Sequence, residues 1–305
     1  MSTPTHVVRF LMKRNVGLML ALAGLLAPLA AVAAGNPMAV SEELDVQYTY
    51  MGGASTRGAG PHAGSISEHS ARVKYVFSPQ ITKDLLLRLG FEWQRFSFDV
   101  PGHIPVPDTL QQVSVVIGLD YQLGDQWLVR TELEPGMYSD FDDSNFRDFD
   151  APLILGATYL VNADLQWSFG MLVDLRSHFI VLPAPGVRWK FADEWTLNLM
   201  LPNPRLEYDV NDRFQVYLGA NVELATFVVG DHFGTDHGKP KLDHATLDYV
   251  AVRVGPGCSW KVLPNLTMEA GAGFMLQRRF VFFDQDTTIR NHEAPYLQIT
   301  CHARF

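Results

Sequence analysis

The 305-residue chain has two cysteines, Cys258 and Cys301, and a net charge of −9, with 24 basic against 33 acidic side chains. Beyond residue 32 it has no apolar run long enough for a membrane helix, no amphipathic helical stripe and no Gly-x-Ser-x-Gly elbow. Each absence removes a class. The acidic balance excludes nucleic acid as a partner, because phosphate binding needs a basic footprint. The missing elbow argues against an α/β hydrolase. A hydrophobic fraction of 47% argues against disorder. Two cysteines allow one disulfide at most. The strand reading below places a whole strand between them, so their backbones stand roughly 10 Å apart, beyond bridging distance. Two free thiols are expected, and no cofactor.

The first 34 residues have their own pattern. Arg9, Lys13 and Arg14 precede an apolar run from Val16 to Val32, which ends on Ala31-Val32-Ala33. A basic segment, an apolar segment and a small-x-small site predict a secretory signal peptide over 1–34, cleaved after Ala33 or Ala34. Its removal takes away three positive charges and leaves 35–305 at −12 as one domain.

What remains alternates. Leu85, Leu87, Leu89, Phe91 and Trp93 oppose Arg88, Gly90, Glu92 and Gln94; Val113, Val115, Ile117, Leu119 and Tyr121 oppose Gln112, Ser114, Gly118 and Asp120. The period recurs through Leu44–Tyr50, Ala71–Phe77, Leu165–Val173, Phe214–Leu224, Val250–Trp260 and Leu266–Phe274. Period two over this length predicts β-strands with one apolar and one polar face. Short turns at Ser78-Pro79-Gln80, Gly124-Asp125-Gln126, Asn162-Ala163-Asp164, Ala192-Asp193-Glu194, Asn211-Asp212 and Pro264-Asn265 alternate with longer links near 52–66, 99–109, 135–151, 176–185, 230–245 and 284–292, and with the tight Pro202-Asn203-Pro204. Six hairpins and a strand at each end predict an all-β, up-and-down antiparallel barrel of about 14 strands. Twelve is the count if the short arms around Pro202 do not cross.

Size orients the two faces. A barrel this wide, lined with Leu and Val, would enclose an empty apolar hole, whereas an outward apolar face meets lipid. Aromatic residues gather at the short-turn ends, among them Tyr75, Phe77, Tyr121, Trp127, Trp167, Trp189, Phe191, Trp195, Phe214, Trp260 and Phe305, as in an interfacial girdle. The opposite face then turns Arg72, Lys74, Arg88, Glu92, Arg130, Glu132, Arg188, Lys190, Arg253 and Glu269 into the lumen, too many charges for a dry core. Basic members outnumber acidic ones, which predicts a weak anion preference.

The chain closes on LQITCHARF, with Leu297, Ile299, Cys301, Ala303 and Phe305 on one face. This resembles the C-terminal signal of bacterial outer-membrane barrels, which implies recognition by the barrel-assembly machinery. The segments PGMYSDF (135–141), GVRWKFADEWTLNLMLPNPRLEYDV (186–210), GAGF (271–274) and RRF (278–280) resemble an uncharacterised family of Gram-negative outer-membrane β-barrels. That resemblance implies a place in the outer membrane, with its lipid and lipopolysaccharide as partners. It brings no catalytic residues.

Two loops could bind ions. Residues 230–245 hold Asp231-His232, Asp236-His237 and Asp243-His244, whose imidazole and carboxylate groups suit Zn or Cu, although the spacing matches no established motif. Residues 139–150 carry Asp140, Asp142, Asp143, Asp148 and Asp150, oxygen donors suited to Ca²⁺ but not in EF-hand order. A lipid hydrolase would need a Ser–His pair. His69-Ser70 and Ser177-His178 are adjacent in sequence, and strand neighbours face opposite ways. The expectation is therefore a non-enzymatic passive pore or transport barrel for small polar solutes. Its rival is a closed barrel with a structural or surface-binding role.

Overall fold

The structure, a computed structural model, describes residues 40–57, 64–102 and 104–305. The expected signal peptide lies outside these residues. Seventeen ladder segments form one sheet that closes on itself. Three walls are each interrupted once, so fourteen antiparallel strands line the circumference. In chain order they are β1 (Val40–Arg57), β2 (Ser65–Thr82), β3 (Leu85–Asp99), β4 (Thr109–Leu123) and β5 (Trp127–Leu133, continued as Gly136–Ser139). Then follow β6 (Phe149–Asp150, continued as Leu153–Leu160), β7 (Leu165–Val173), β8 (Val181–Lys190), β9 (Trp195–Asn198) and β10 (Arg205–Asn211). The last are β11 (Phe214–Val228), β12 (Thr246–Leu263), β13 (Leu266–Phe282) and β14 (Thr287–Asn291, continued as Ala294–Arg304). β1 pairs with β14 from Glu43↔Arg304 to Met51↔Tyr296, which closes the ring.

The arms around Pro202 do pair, Trp195↔Tyr208 to Asn198↔Arg205, so the count is fourteen rather than twelve. Cys258 and Cys301 are free, and β13 runs between them: Cys258 faces Ala270, and Cys301 faces Met268.

The apolar face looks outward. Phe91 is 49% exposed, Val115 51%, Leu218 63% and Leu297 60%, while the alternate residues Glu92, Ser114 and Val116 are buried. Aromatic side chains edge this belt near the short turns: Trp127 lies 4.9 Å from Tyr159, and Trp195 4.9 Å from Tyr208.

Above the belt the pattern inverts while its parity holds. On β3 the outward positions become Arg95, Ser97 and Asp99, and the inward ones become Phe96 and Phe98, at 0% and 6% exposure. Ile66, Leu110, Tyr138, Phe227, Tyr249 and Phe280 join them in a dry core inside the loop end. A strand needs about 9–11 tilted residues to cross a bilayer. β1–β4 and β11–β14 have 15–18 residues by their single or combined segments, so they stand clear of lipid, where the outer face is wet and the inside collapses.

This explains two departures from expectation. Residues 52–57 and 287–291, read as loop because their outer face is polar, are ladder. A bulge between Met51 and Ala54, at Gly52-Gly53, keeps both apolar side chains inward. Ser78-Pro79-Gln80 lies within β2 and the chain turns at Lys83-Asp84. Pro79 sits opposite the first residue of β1, where the ladder ends and an absent N–H costs little.

Closure differs at the two ends. At the short-turn end all fourteen strands take part. At the loop end β11 bends across and its Val228 pairs in parallel with Ser139 of β5. Gly230 N donates to Asp140 Oδ2 at 2.7 Å beside that contact. The tops of β1–β5 and β11–β14 thus meet directly, and β6–β10 end below or outside the junction.

Candidate functional site

The inward charges on the β1–β5 side form one lattice. Lys74 Nζ lies 2.5 Å from Glu132, 2.6 Å from Glu134 and 3.2 Å from Glu92. Arg88 holds Glu132 at 3.0 Å, Glu43 at 3.2 Å and Asp120 at 3.4 Å. Arg72 pairs with Glu92 at 2.7 Å, and Arg130 with Asp120 at 2.6 Å. β2 and β5 are not neighbours, so Lys74 reaches Glu132 only through the interior. A second group spans the lumen. Gln94 on β3 donates to Glu223 on β11 at 2.5 Å, and Arg253 pairs with the same carboxylate at 2.6 Å. A third joins Arg205 to Glu269 at 3.2 Å, with its guanidinium 4.7 Å from the Tyr217 ring. Arg188 reaches Glu207 at 3.8 Å, and Lys190 stands exposed near the short-turn mouth.

Within the dry core one ion pair is fully enclosed. Arg278 and Glu68, both 0% exposed, meet at 2.8 Å. Tyr249 Oη donates to the same carboxylate at 2.8 Å, and Arg278 also donates to Asn291 Oδ1 and the Ile66 carbonyl, each at 2.8 Å. This pair bolts β2 to β13 across the barrel.

Acidic partners not singled out in the sequence balance the basic ones: Glu43, Glu68, Asp120, Glu134, Glu207 and Glu223. The expected excess of lumen positive charge is therefore compensated in place. Parity alone would have exposed Glu223, which sits between outward Val222 and Leu224. Glu134 was hidden by the break at Pro135, and Glu68 and Arg278 by the inversion above the belt.

The other side of the lumen is bare. The inward positions of β6–β8 include Gly156, Thr158, Ser168, Gly170, Ala184 and Gly186, with Leu172 and Leu182 towards the loop end. They are half-buried, whereas Thr49, Glu92, Gln94, Ser114 and Val116 on the β1–β4 side are buried. A methyl group added at Gly156 would meet nothing within 4 Å. Side chains bury the inner wall of one half of the barrel and leave the inward positions of the other only half-buried.

The loop residues do not converge. Of Asp231, His232, Asp236, His237, Asp243 and His244, the structure joins only Asp231 to His244, at 2.7 Å. Asp243 instead accepts from Thr235 N at 2.7 Å and Thr235 Oγ1 at 2.6 Å, and those hydrogen bonds hold its carboxyl below the ordinary range. His237 Nδ1 is 2.7 Å from the Phe233 carbonyl. In the acidic loop Asp140, Asp148 and Asp150 accept backbone N–H groups of Gly230, Asn145 and Ala151. Among the described residues no three His, Cys, Asp or Glu side chains form a metal-holding group. Nor does either Ser–His neighbour pair bond to itself: His69 Nδ1 is 2.7 Å from Tyr48 Oη, and Ser177 Oγ donates to Asp248.

A closed antiparallel ring with an apolar outer belt, aromatic edges and a charged interior is a transmembrane β-barrel. The chain belongs to the family described as "Domain of unknown function (DUF6268)", whose model matches residues 82–296. No curated protein matches it. Among solved structures it is similar to an outer membrane channel from Pseudomonas putida F1, at 10% identity and a TM-score of 0.47, over 89% of this chain and 97% of that one. It is also similar to a deletion mutant of the TodX monoaromatic hydrocarbon channel, at 10% identity and TM-score 0.41, covering 88% and 91%. A third is the NanC porin, at 12% identity and TM-score 0.38, covering 85% and 98%.

Proposed function

We propose that this protein is a non-enzymatic transport barrel of the Gram-negative outer membrane, carrying small solutes along the unfilled side of its lumen. The observation that supports this reading is the asymmetry of the interior. The ion-pair lattice braces β1–β5, while the small residues of β6–β8 leave a passage beside it. The wall of that passage is polar near the short turns (Gln166, Ser168, Thr158) and apolar near the loops (Leu172, Leu182). The short-turn end would face the periplasm. Leu297, Ile299, Cys301, Ala303 and Phe305 would present the closing strand to the assembly machinery, and the outer face would contact lipid and lipopolysaccharide.

The rival reading, a closed structural barrel, draws on the dry core inside the loop end, which blocks an axial exit on the β1–β5 and β11–β14 side. Reconstitution in planar bilayers separates the two. Steady conductance steps are expected for a transport barrel, and a silent, correctly folded barrel would overturn the proposal.

A further inference from the structure

The wall is incomplete between β8 and β11. The outer edge of β8 is covered as far as Gly186 and Val187 by Leu199-Met200, and that of β11 as far as Val222 by Pro202–Pro204. Beyond these points, residues 181–185 and 223–227 have no ladder partner on the facing sides, among the described residues. The loop between β7 and β8 crosses this break on the outside. Its Ser177 Oγ and His178 N donate to Asp248 on β12, at 3.3 and 3.0 Å.

Beneath the loop lies a cavity of about 300 Å³. On one side it meets Leu172 and Leu182, lumen-facing residues of β7 and β8, and on the other Leu224 and Val250, which face outward on β11 and β12. It therefore lies in the break itself. Its charged wall is Arg279 and Arg290, directly opposite each other in the β13–β14 ladder. Like charges in that position repel, and neither arginine has a carboxylate in ion-pair reach among the described residues. Arg279 Nε is buried without a hydrogen-bond partner. The two carboxylates bordering the cavity are already engaged. Asp248 accepts from Ser177, His178 and Thr226, and Asp174 from the N–H groups of Arg176 and Ser177.

We infer that this cavity is a binding site for a small amphipathic carboxylate, its apolar body between Leu182 and Leu224 and its anionic head on Arg279 and Arg290. Guanidinium groups make paired, charge-assisted hydrogen bonds to carboxylate, and a volume near 300 Å³ matches the lower range of small-ligand pockets. The inference deepens the transport reading by naming the solute class, and it rests on that reading only for the site's purpose.

The test is calorimetric titration of the purified barrel in a non-ionic detergent with octanoate, and with 1-octanol as its neutral counterpart. Saturable octanoate binding is expected. Replacement of both arginines (Arg279→Gln with Arg290→Gln) should weaken it about tenfold or more, as loss of a charged anchor does, and leave 1-octanol unchanged. Arg95→Gln, an outward arginine on β3 away from the break, should leave octanoate binding intact. Heat-modifiable migration on gels verifies that each variant is folded. No saturable octanoate binding, or equal binding by the double variant, overturns the site. Bilayer current from the same preparation keeps the two ideas separate. Current without octanoate binding sinks the site alone, and binding without current sustains the site while removing the transport reading.

Discussion

Lys74 offers the sharpest test of the lattice. Its side chain is 14% exposed and its ammonium stands among three carboxylates, those of Glu92, Glu132 and Glu134. In Lys74→Met, Glu92 keeps Arg72 and Glu132 keeps Arg88. Glu134 loses its only ion-pair partner among the described residues and stays beside two like charges. Breaking one member of a buried pair costs about 3–5 kcal/mol, mostly the penalty of the charge left behind. The two surviving arginines place the expected loss near the lower end, about 3 kcal/mol. Denaturant unfolding in lipid vesicles, followed by tryptophan fluorescence, measures it. Adding Glu134→Gln to Lys74→Met removes the orphaned charge and should recover much of the loss. A loss under about 1 kcal/mol would mean that the cluster behaves like solvent-screened surface pairs. Failure of Glu134→Gln to restore stability would refute the assignment of the cost to that carboxylate.

Two further outcomes bear on orientation and on the β11–β12 loop. Ile117→Arg, mid-belt on the outward face of β4, should cost about 2–4 kcal/mol in the same unfolding assay, as cationic residues do at the bilayer midplane; unaltered stability would place that face away from lipid. The Thr235–Asp243 lock should persist above the ordinary Asp pKa and loosen as pH falls below it, because the folded state holds that carboxyl low. Hydrogen exchange over 233–243, corrected for intrinsic rates, should show protection held down to about pH 4 and dropping between about pH 4 and pH 2, a step absent in Asp243→Asn; protection unchanged down to about pH 2 would remove the lock.

Alternation was enough to read the ring, because lipid and water impose opposite chemistry on successive residues wherever a strand crosses the bilayer. Leu85 to Trp93 and Val113 to Tyr121 needed nothing more. The same rule failed above the belt for a physical reason. Arg95 and Ser97 face water there and Phe96 and Phe98 face a dry core, so the apolar residues keep their period on the opposite parity. A reader following chemistry rather than parity sees a loop. The interior was legible as a set of polar wall positions such as Lys74 and Glu132, but not as pairs. Lys74 and Glu132 are 58 residues apart on non-adjacent strands, and only the register and curvature of the closed sheet bring them together. The break between β8 and β11 left one trace in the sequence, the short arms around Pro202. In the sequence alone they bear only on strand number.

The two closures account for the rest. A wide barrel has more lumen than side chains can fill, and the chain resolves this unequally. Bulky and charged residues on β1–β5 and β11–β14 draw those strands together at the loop end, where Val228 reaches Ser139 and the core becomes dry. β6–β8 carry Gly156, Gly170, Ala184 and Gly186 inward, and their larger inward residues Leu172 and Leu182 line the cavity at the break rather than joining that core, so these strands remain as an outer wall. A packed core and a sparsely filled inner wall therefore arise from the same distribution of side-chain volume around the ring. The wall must part where the two regimes meet, and β9 and β10, the strands at that seam, are short enough to let it.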